Sequence, residues 1–248
     1  ELMKQHYTGC NARGLMLSHD KALSKKILNY HRIPTPGFVV FRRRRKIRPS
    51  NKLKYPILVK SATEDASFGI SQNSIVHNDE ALIERVKFVH ENVGSDALAE
   101  EYIEGRELYV GVIGNKQLGV FPVWEMFFRN MPDDVAHIAT ARVKWNTRYQ
   151  KKHGIETGRA PDLTADQTAK IQRICKRVYR ALNMSGYGRI DIRMNAAGDV
   201  YVIEANANPN LEFGEDFSES AEADGVTYEQ LLTRVLNLGL KYDAAWRQ

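Results

Sequence analysis

The sequence predicts an α+β fold in which antiparallel sheets are flanked by helices. Three observations predict it. Short apolar runs separated by glycine-containing turns recur in pairs, as hairpins do. Two Thr-x-x-Gln capping boxes open long amphipathic runs. Strand and helix signals do not alternate strictly, which argues against a purely parallel sheet.

In chain order, Ser18 and Asp20 open a helical stretch with Leu23, Ile27 and Tyr30 at helical spacing, and Pro34 and Pro36 end it. Phe38 to Phe41 and Ile57 to Lys60 read as strands, the second followed by a loop of small polar residues, Ser61 to Gly69. Asp79 to Asn92 reads as a helix with Leu82, Val86 and Val89 on one face. Ala97 to Ile103, Glu107 to Ile113 and Gln117 to Trp124 read as strands, separated by turns at Glu104-Gly105 and Gly114-Asn115. Residues 125–163 show no clear pattern, and a stretch this long usually carries function or moves. Thr164 with Gln167 caps a helix whose buried face is Ile171, Ile174, Val178 and Leu182. Tyr187 to Met194 and Asp199 to Ala205 form a hairpin about Ala197-Gly198. Thr227 with Gln230 caps a last helix with Leu231, Val235 and Leu238 inward.

Composition limits the function classes. The chain has 248 residues, 43% hydrophobic and 27% charged, which excludes collagenous, disulfide-scaffold and mostly disordered proteins. No apolar run approaches the roughly 18 to 20 residues that span a bilayer. Glu1 to Tyr7 lack the apolar core of a secretory signal, and Cys10 and Cys175 fit no metal spacing, so a reduced, cytoplasmic chain is expected. The net charge of +6 suits an anionic partner such as nucleotide phosphate. Six of the seven residues in the run Arg42 to Arg48 are basic, but no aromatic residue interleaves them; a solvated loop is expected, and nucleic acid is not.

Three segments could carry chemistry. The segment GRIDIRMNAAGDVYVIEANANPN offers Asp191 on one strand, and Glu204 and Asn206 on a common face of the next. Two carboxylates and an amide are hard oxygen donors suited to Mg²⁺, whereas exposed acids on a hairpin would need no metal. A carboxylate set among apolar neighbours is costly unless paired or metal-bound, which favours the metal. In YPILVKSATEDASFGIS, Lys60 ends an apolar strand facing a small-residue loop with Gly69; it is either a phosphate lysine or a surface lysine. In LAEEYIEGRELYVGVI, Glu100 and Glu107 bracket a turn, and by themselves mark only a hairpin.

Taken together and in order, these segments resemble the ATP-grasp superfamily, and within it the D-alanine–D-alanine ligase group. HDKALSKKILNYHRIPTPGF is similar to that group's DKxxxK…GIPTP entry to the central domain, and YTGCNARGLMLSHDK to the end of a preceding domain. The resemblance implies a preceding-domain tail over residues 1–18, a central subdomain over 19–104 and a C-terminal subdomain over 105–248, gripping a nucleotide between antiparallel sheets. It implies ATP and Mg²⁺ (or Mn²⁺) as cofactors, with two metal ions. Lys21 and Lys60 match phosphate-binding lysines, and Glu100 the carboxylate near the adenine amino group. Glu101 and Ile103 match backbone contacts to adenine, and Glu107 the ribose carboxylate. Lys144 matches a lid lysine reaching the γ-phosphate, and Arg189 the arginine that steadies the tetrahedral transition state. Asp191, Glu204 and Asn206 match the metal ligands.

The implied activity is ATP-dependent joining of a carboxylate to an amine through an acyl phosphate, by a homodimer or a monomer. The alternative is an ATP-binding regulatory module without catalysis. Two positions depart from the group: Asn210 stands where a glycine follows the proline, and the group's serine-containing segment for the second D-alanine is not recognisable in EFGEDFSES.

Overall fold

The computed structural model describes residues 1, 3–64, 69–132 and 135–244. Its helices are α1 (Ala12–His19), α2 (Lys21–Tyr30), α3 (Asp79–Phe88), α4 (Ala141–Trp145), α5 (Thr147–His153), α6 (Ala165–Ala181), α7 (Asp216–Glu222) and α8 (Tyr228–Leu240). Its strands are β1 (Phe38–Phe41), β2 (Ile57–Ser61), β3 (Ile75–Val76), β4 (Ala97–Glu101), β5 (Arg106–Ile113), β6 (Gly119–Val120), β7 (Trp124–Phe128), β8 (Ile155–Arg159), β9 (Tyr187–Met194) and β10 (Val200–Ala207).

They form two sheets. The smaller runs β1-β4-β2-β3 and the larger β10-β9-β5-β7-β8, with β6 on β5. Every strand pair is antiparallel, as the hairpin signals predict. The smaller sheet packs Ile57, Val59, Val76 and Ala99 against Leu82, Val86 and Val89 of α3 and its last turn. The larger sheet buries Leu108, Val110, Ile190, Ile192 and Val202 against α6, through Ile171, Ile174, Val178 and Leu182. Cys175 is a fully buried thiol in that core. Among the described residues no helix is long and apolar enough to cross a membrane.

The capped helices begin where the sequence places them. Thr164 and Thr227 each accept from the third residue of their helix, and Gln167 and Gln230 return the bond. Four expectations are overturned, besides the hairpin about Glu104-Gly105, whose strands β4 and β5 lie in different sheets and do not pair. First, α2 has the opposite face inward: Tyr30 is 85% exposed, while Lys21, Ala22, Ser24, Lys25 and Leu28 are buried. The inward lysines have an anion to meet, described below. Second, Ser18 caps nothing; it lies in α1, its hydroxyl donating to the Gly14 carbonyl, and Asp20 alone caps α2. Third, Gln117 to Trp124 is not one strand. Pro122 lacks the N–H a ladder requires, so β6 ends at Val120 and β7 starts at Trp124. Fourth, residues 125–163 are not irregular: β7 and β8 pair, and α4 and α5 lie between them. Their apolar contacts, Val143, Met126, Met131 and Ile155 about Tyr109, are too widely spaced along the chain for a local period to show them.

One turn between the sheets is tightly specified. Gly105 has φ +133°, and a Cβ there would lie 2.2 Å from the carbonyl oxygen of Met194. Its own carbonyl accepts from Arg193 Nη2 at 2.9 Å. Gly105→Ala is therefore expected to lose about 2 to 4 kcal/mol of stability, because both the dihedral and the clash are backbone terms. Urea unfolding checks this, and an unchanged midpoint would refute it.

Candidate active site

The geometry starts from a β-bulge. Along the β9–β10 hairpin Val202 faces Ile192, but the next ladder pair is Glu204 with Asp191, because Ile203 is extra. Plain alternation would have set Glu204 opposite Ile190 and sent the two carboxylates to opposite faces. The bulge turns them to one face and continues with Asn206 opposite Arg189. Hydrophobic periodicity does not reveal a bulge, so the sequence supplies the residues but not this step.

Asp191 and Glu204 are held by cations. Arg189 donates to both Asp191 oxygens, at 2.8 and 2.9 Å, and its guanidinium lies 4.6 Å from the Tyr109 ring centroid. Its other nitrogen is 3.7 Å from Asp216. Lys21 lies 3.8 Å from Glu204 and donates to the Glu64 carbonyl at 2.8 Å. Burial and the neighbouring Glu204 carboxylate push Asp191 up, opposed by Arg189. Burial would also raise Glu204, but Lys21, Lys60 and Lys144 outweigh it and bring it to about 2.

The smaller sheet contributes a buried ion triad. Lys60 on β2 and Lys25 on α2 approach the two Glu100 oxygens at 2.7 and 2.8 Å. Glu100 and Lys25 are each 1% exposed and Lys60 is 4% exposed. Burial would raise Glu100, yet the two lysines hold it below the usual carboxylate range. Burial lowers Lys25 despite the carboxylate, whereas Glu100 and Glu204 carry Lys60 upward against the same effect.

Two cavities meet here. A cleft of about 720 Å³ is lined by Arg189, Glu204, Asn206, Lys144, Asn210 and Asp216, among others. A narrow slot of about 70 Å³ between the sheets is lined by Lys60, Glu100, Glu101, Ile103, Glu107 and Asp191, with Leu58, Ile138 and Ile203 as apolar walls. Lys144 and Glu204 line both. Of the residues singled out from the sequence, only Lys21 lines neither; it stands behind Glu204. Glu101 gives its N–H to the Gly37 carbonyl, and its carboxylate accepts from the N–H of Lys54. Glu107 accepts from the Tyr109 hydroxyl at 2.9 Å and from Arg193 at 3.1 Å.

Sequence reasoning missed Lys25, Arg193, Tyr109 and Gln72. For Lys25 a signal existed: it follows Lys21 by four residues, so the two share a helix face. Gln72 joins the smaller sheet to the stretch before α4 by two reciprocal bonds, its Nε2 donating to the Ala136 carbonyl at 3.0 Å and its Oε1 accepting from the Ala136 N–H at 3.1 Å. Arg193 adds a bond to the His137 carbonyl at 2.8 Å. The stretch from Val135 to Trp145, carrying Lys144, is thus latched over the slot.

Among the described residues no group of three or more His, Cys, Asp or Glu surrounds a metal position, so a divalent ion here needs the Asn206 amide as a donor beside Asp191 and Glu204. Its donor atom would be Oδ1; Nδ2, a hydrogen-bond donor that cannot ligate a metal, is buried with no hydrogen-bond partner among the described residues.

Comparison with known proteins places this geometry. The family described as D-ala D-ala ligase C-terminus matches residues 27–237. An uncharacterised protein, y4sG of Sinorhizobium fredii, is 30% identical over 94% of this chain and 66% of its own length. D-alanine–D-alanine ligase of Pediococcus pentosaceus is 30% identical over 93% of this chain and 60% of its own. The chain thus spans about two thirds or less of these two relatives. The crystal structure of D-alanine–D-alanine ligase from Bacillus anthracis complexed with ATP superimposes with a TM-score of 0.78 at 24% identity, covering 97% of this chain and 72% of that one. The two antiparallel sheets and their helices are those of an ATP-grasp fold, and the chain belongs to the D-alanine–D-alanine ligase C-terminal family.

Proposed function

We propose that this chain carries the nucleotide-binding and condensing site of an ATP-dependent carboxylate–amine ligase. The observation that supports it best is the convergence on one pair of cavities of Asp191 and Glu204, the Lys60–Glu100 pair and Lys144. We read residues 19–104 and 105–248 as the two subdomains that grip the nucleotide, after a tail over 1–18.

The slot takes the nucleoside. Its apolar walls suit a purine ring, the backbone of Glu101 and Ile103 reads the adenine edge, and Glu107, steadied by Arg193, meets the ribose hydroxyls. Lys21, Lys60 and Lys144 oppose the charge of the phosphate chain. Asp191, Glu204 and Asn206 would hold Mg²⁺, which would supply positive charge against the negative charge that develops in transfer. A substrate carboxylate oxygen bonds to the γ-phosphorus as the bond to the β-phosphate oxygen breaks, giving an acyl phosphate and ADP. An amine then adds to the acyl carbon, phosphate leaves with its bonding electron pair, and the amine loses a proton. Arg189, over Tyr109 and beside the cleft, is placed to stabilise the oxyanion of that tetrahedral intermediate. The protein provides orientation and electrostatics, with no protein nucleophile.

The test is release of ADP and phosphate by this chain with ATP, Mg²⁺ and a panel of amino acids that includes D-alanine. Release that depends on a particular donor and acceptor is the expected result. ATP binding with no ADP formed under any pairing would overturn the ligase reading and leave a nucleotide-binding module.

A further inference from the structure

The buried triad holds two lysines and one carboxylate. Lys60 and Glu100 line the slot, but Lys25 does not; it reaches the site only through Glu100. Counted by themselves, the three carry a surplus positive charge where water is excluded. The next anion that either lysine feels is Glu204, across on β10, and Glu204 already has Lys21 beside it. A surplus buried charge is expensive, and a neutral Lys60–Glu100 pair alone would be cheaper. A fold that keeps the extra cation loses stability unless a ligand supplies the missing negative charge. Nothing in the geometry suggests that Lys25 is a mere filler. It lies on the face of α2 that turned inward against its apolar pattern, and its head group points into the core instead of reaching water.

We propose that Lys25 is a positioning residue for nucleotide binding: it occupies one Glu100 oxygen, so that the buried Lys25–Glu100–Lys60 triad retains a surplus positive charge that the nucleotide's phosphate chain neutralises. This rests on the nucleotide-site reading above. Without Lys25, Glu100 would be free to engage Lys60 with both oxygens and cancel its charge. With Lys25 in place, the carboxylate is shared and the slot remains attractive to an anion. The arrangement exchanges stability of the empty protein for affinity toward phosphate, as functional sites commonly do.

The test uses Lys25→Met and Lys25→Gln in this chain. Both remove the charge, and Gln keeps a polar group on the side chain that faces Glu100. Affinities are measured for the β,γ-methylene analogue of ATP and for adenosine, together with kcat for ATP and the melting temperature. The expected result is roughly tenfold weaker binding of the ATP analogue in both variants. Adenosine, which carries no phosphate, should bind as it does to the unaltered protein. The kcat should stay within about threefold, since Lys25 touches no reacting atom, and the melting temperature should hold or rise. Equal weakening of adenosine and analogue would overturn the proposal, since the slot's shape rather than its charge would have changed. Unchanged affinity for the analogue would overturn it too. So would unfolding of both variants, because a surplus charge cannot be what the fold requires. If the unaltered chain binds no ATP analogue at all, the nucleotide-site reading itself fails, a different outcome from failure of the Lys25 proposal.

Discussion

Replacing Glu204 with glutamine is expected to abolish ADP formation while the protein stays folded and still binds nucleotide. The side chain keeps its shape, so the hairpin and its bulge should survive. What is lost is one of two opposed carboxylates that share a face only because of that bulge. Glu204 is held ionised, at about 2, by three lysines, so its charge is present at every pH of interest. Without it Asp191 is the last carboxylate of the set, and Asp191 is already engaged by Arg189 through both oxygens. Turnover should fall by roughly three orders of magnitude or more, as when the main charge partner of a transferring phosphoryl group is removed. Affinity for metal-free ATP should move the other way, since Lys21, Lys60 and Lys144 lose an anion that competes with phosphate. A coupled ADP assay and a binding titration read the two effects separately. Turnover within tenfold of the unaltered chain would remove Glu204 from the metal set.

Glu100→Gln should damage stability more than any other single change in the site. It leaves two buried lysines, each within 3 Å of a neutral amide in place of their shared anion. Removing one partner of a buried ion group costs about 3 to 5 kcal/mol, which in a chain of this size lowers the melting temperature by roughly 10 °C. The pH dependence has a definite sign. The folded-state pKa of Glu100 is depressed, so its stabilisation is present above the unfolded carboxylate pKa and is lost as pH falls through the folded value. The unaltered protein should therefore lose stability in acid, and Glu100→Gln should show less of that loss. The variant should instead gain stability in alkali, where one of the stranded lysines gives up its proton. Thermal melts between acid and alkaline pH check both arms, and a melting temperature unchanged at neutral pH would show that the triad bears no weight.

Much of the fold was legible because its signals are local. A capping box and a 3.6-residue period define α6 and α8, and a pair of apolar runs about a glycine turn defines β9–β10, whereas the runs either side of Gly105 form strands of different sheets and not a hairpin. The site residues were legible as residue types at motif spacing. What was not legible depends on partners remote in sequence. The inward face of α2 is chosen by Glu100, 75 positions beyond Lys25. The bulge at Ile203 is a backbone irregularity with no compositional mark. Helix α7, which carries Asp216 to the cleft, is seven residues long and has no side-chain cap, so neither period nor cap announces it. The order within 125–163 comes from a small apolar cluster assembled from four separate elements and Tyr109.

The two latches over the slot have a consequence for pH dependence. One is the neutral amide of Gln72 against Ala136; the other is the guanidinium of Arg193 against the His137 carbonyl. Neither group changes its protonation across the range in which proteins stay folded. These two bonds should therefore not weaken with a change of acidity. The same stretch carries Lys144, whose charge is felt by Asp191 and Glu204 below it, so any dependence of its movement on acidity enters through that contact and not through the two latches.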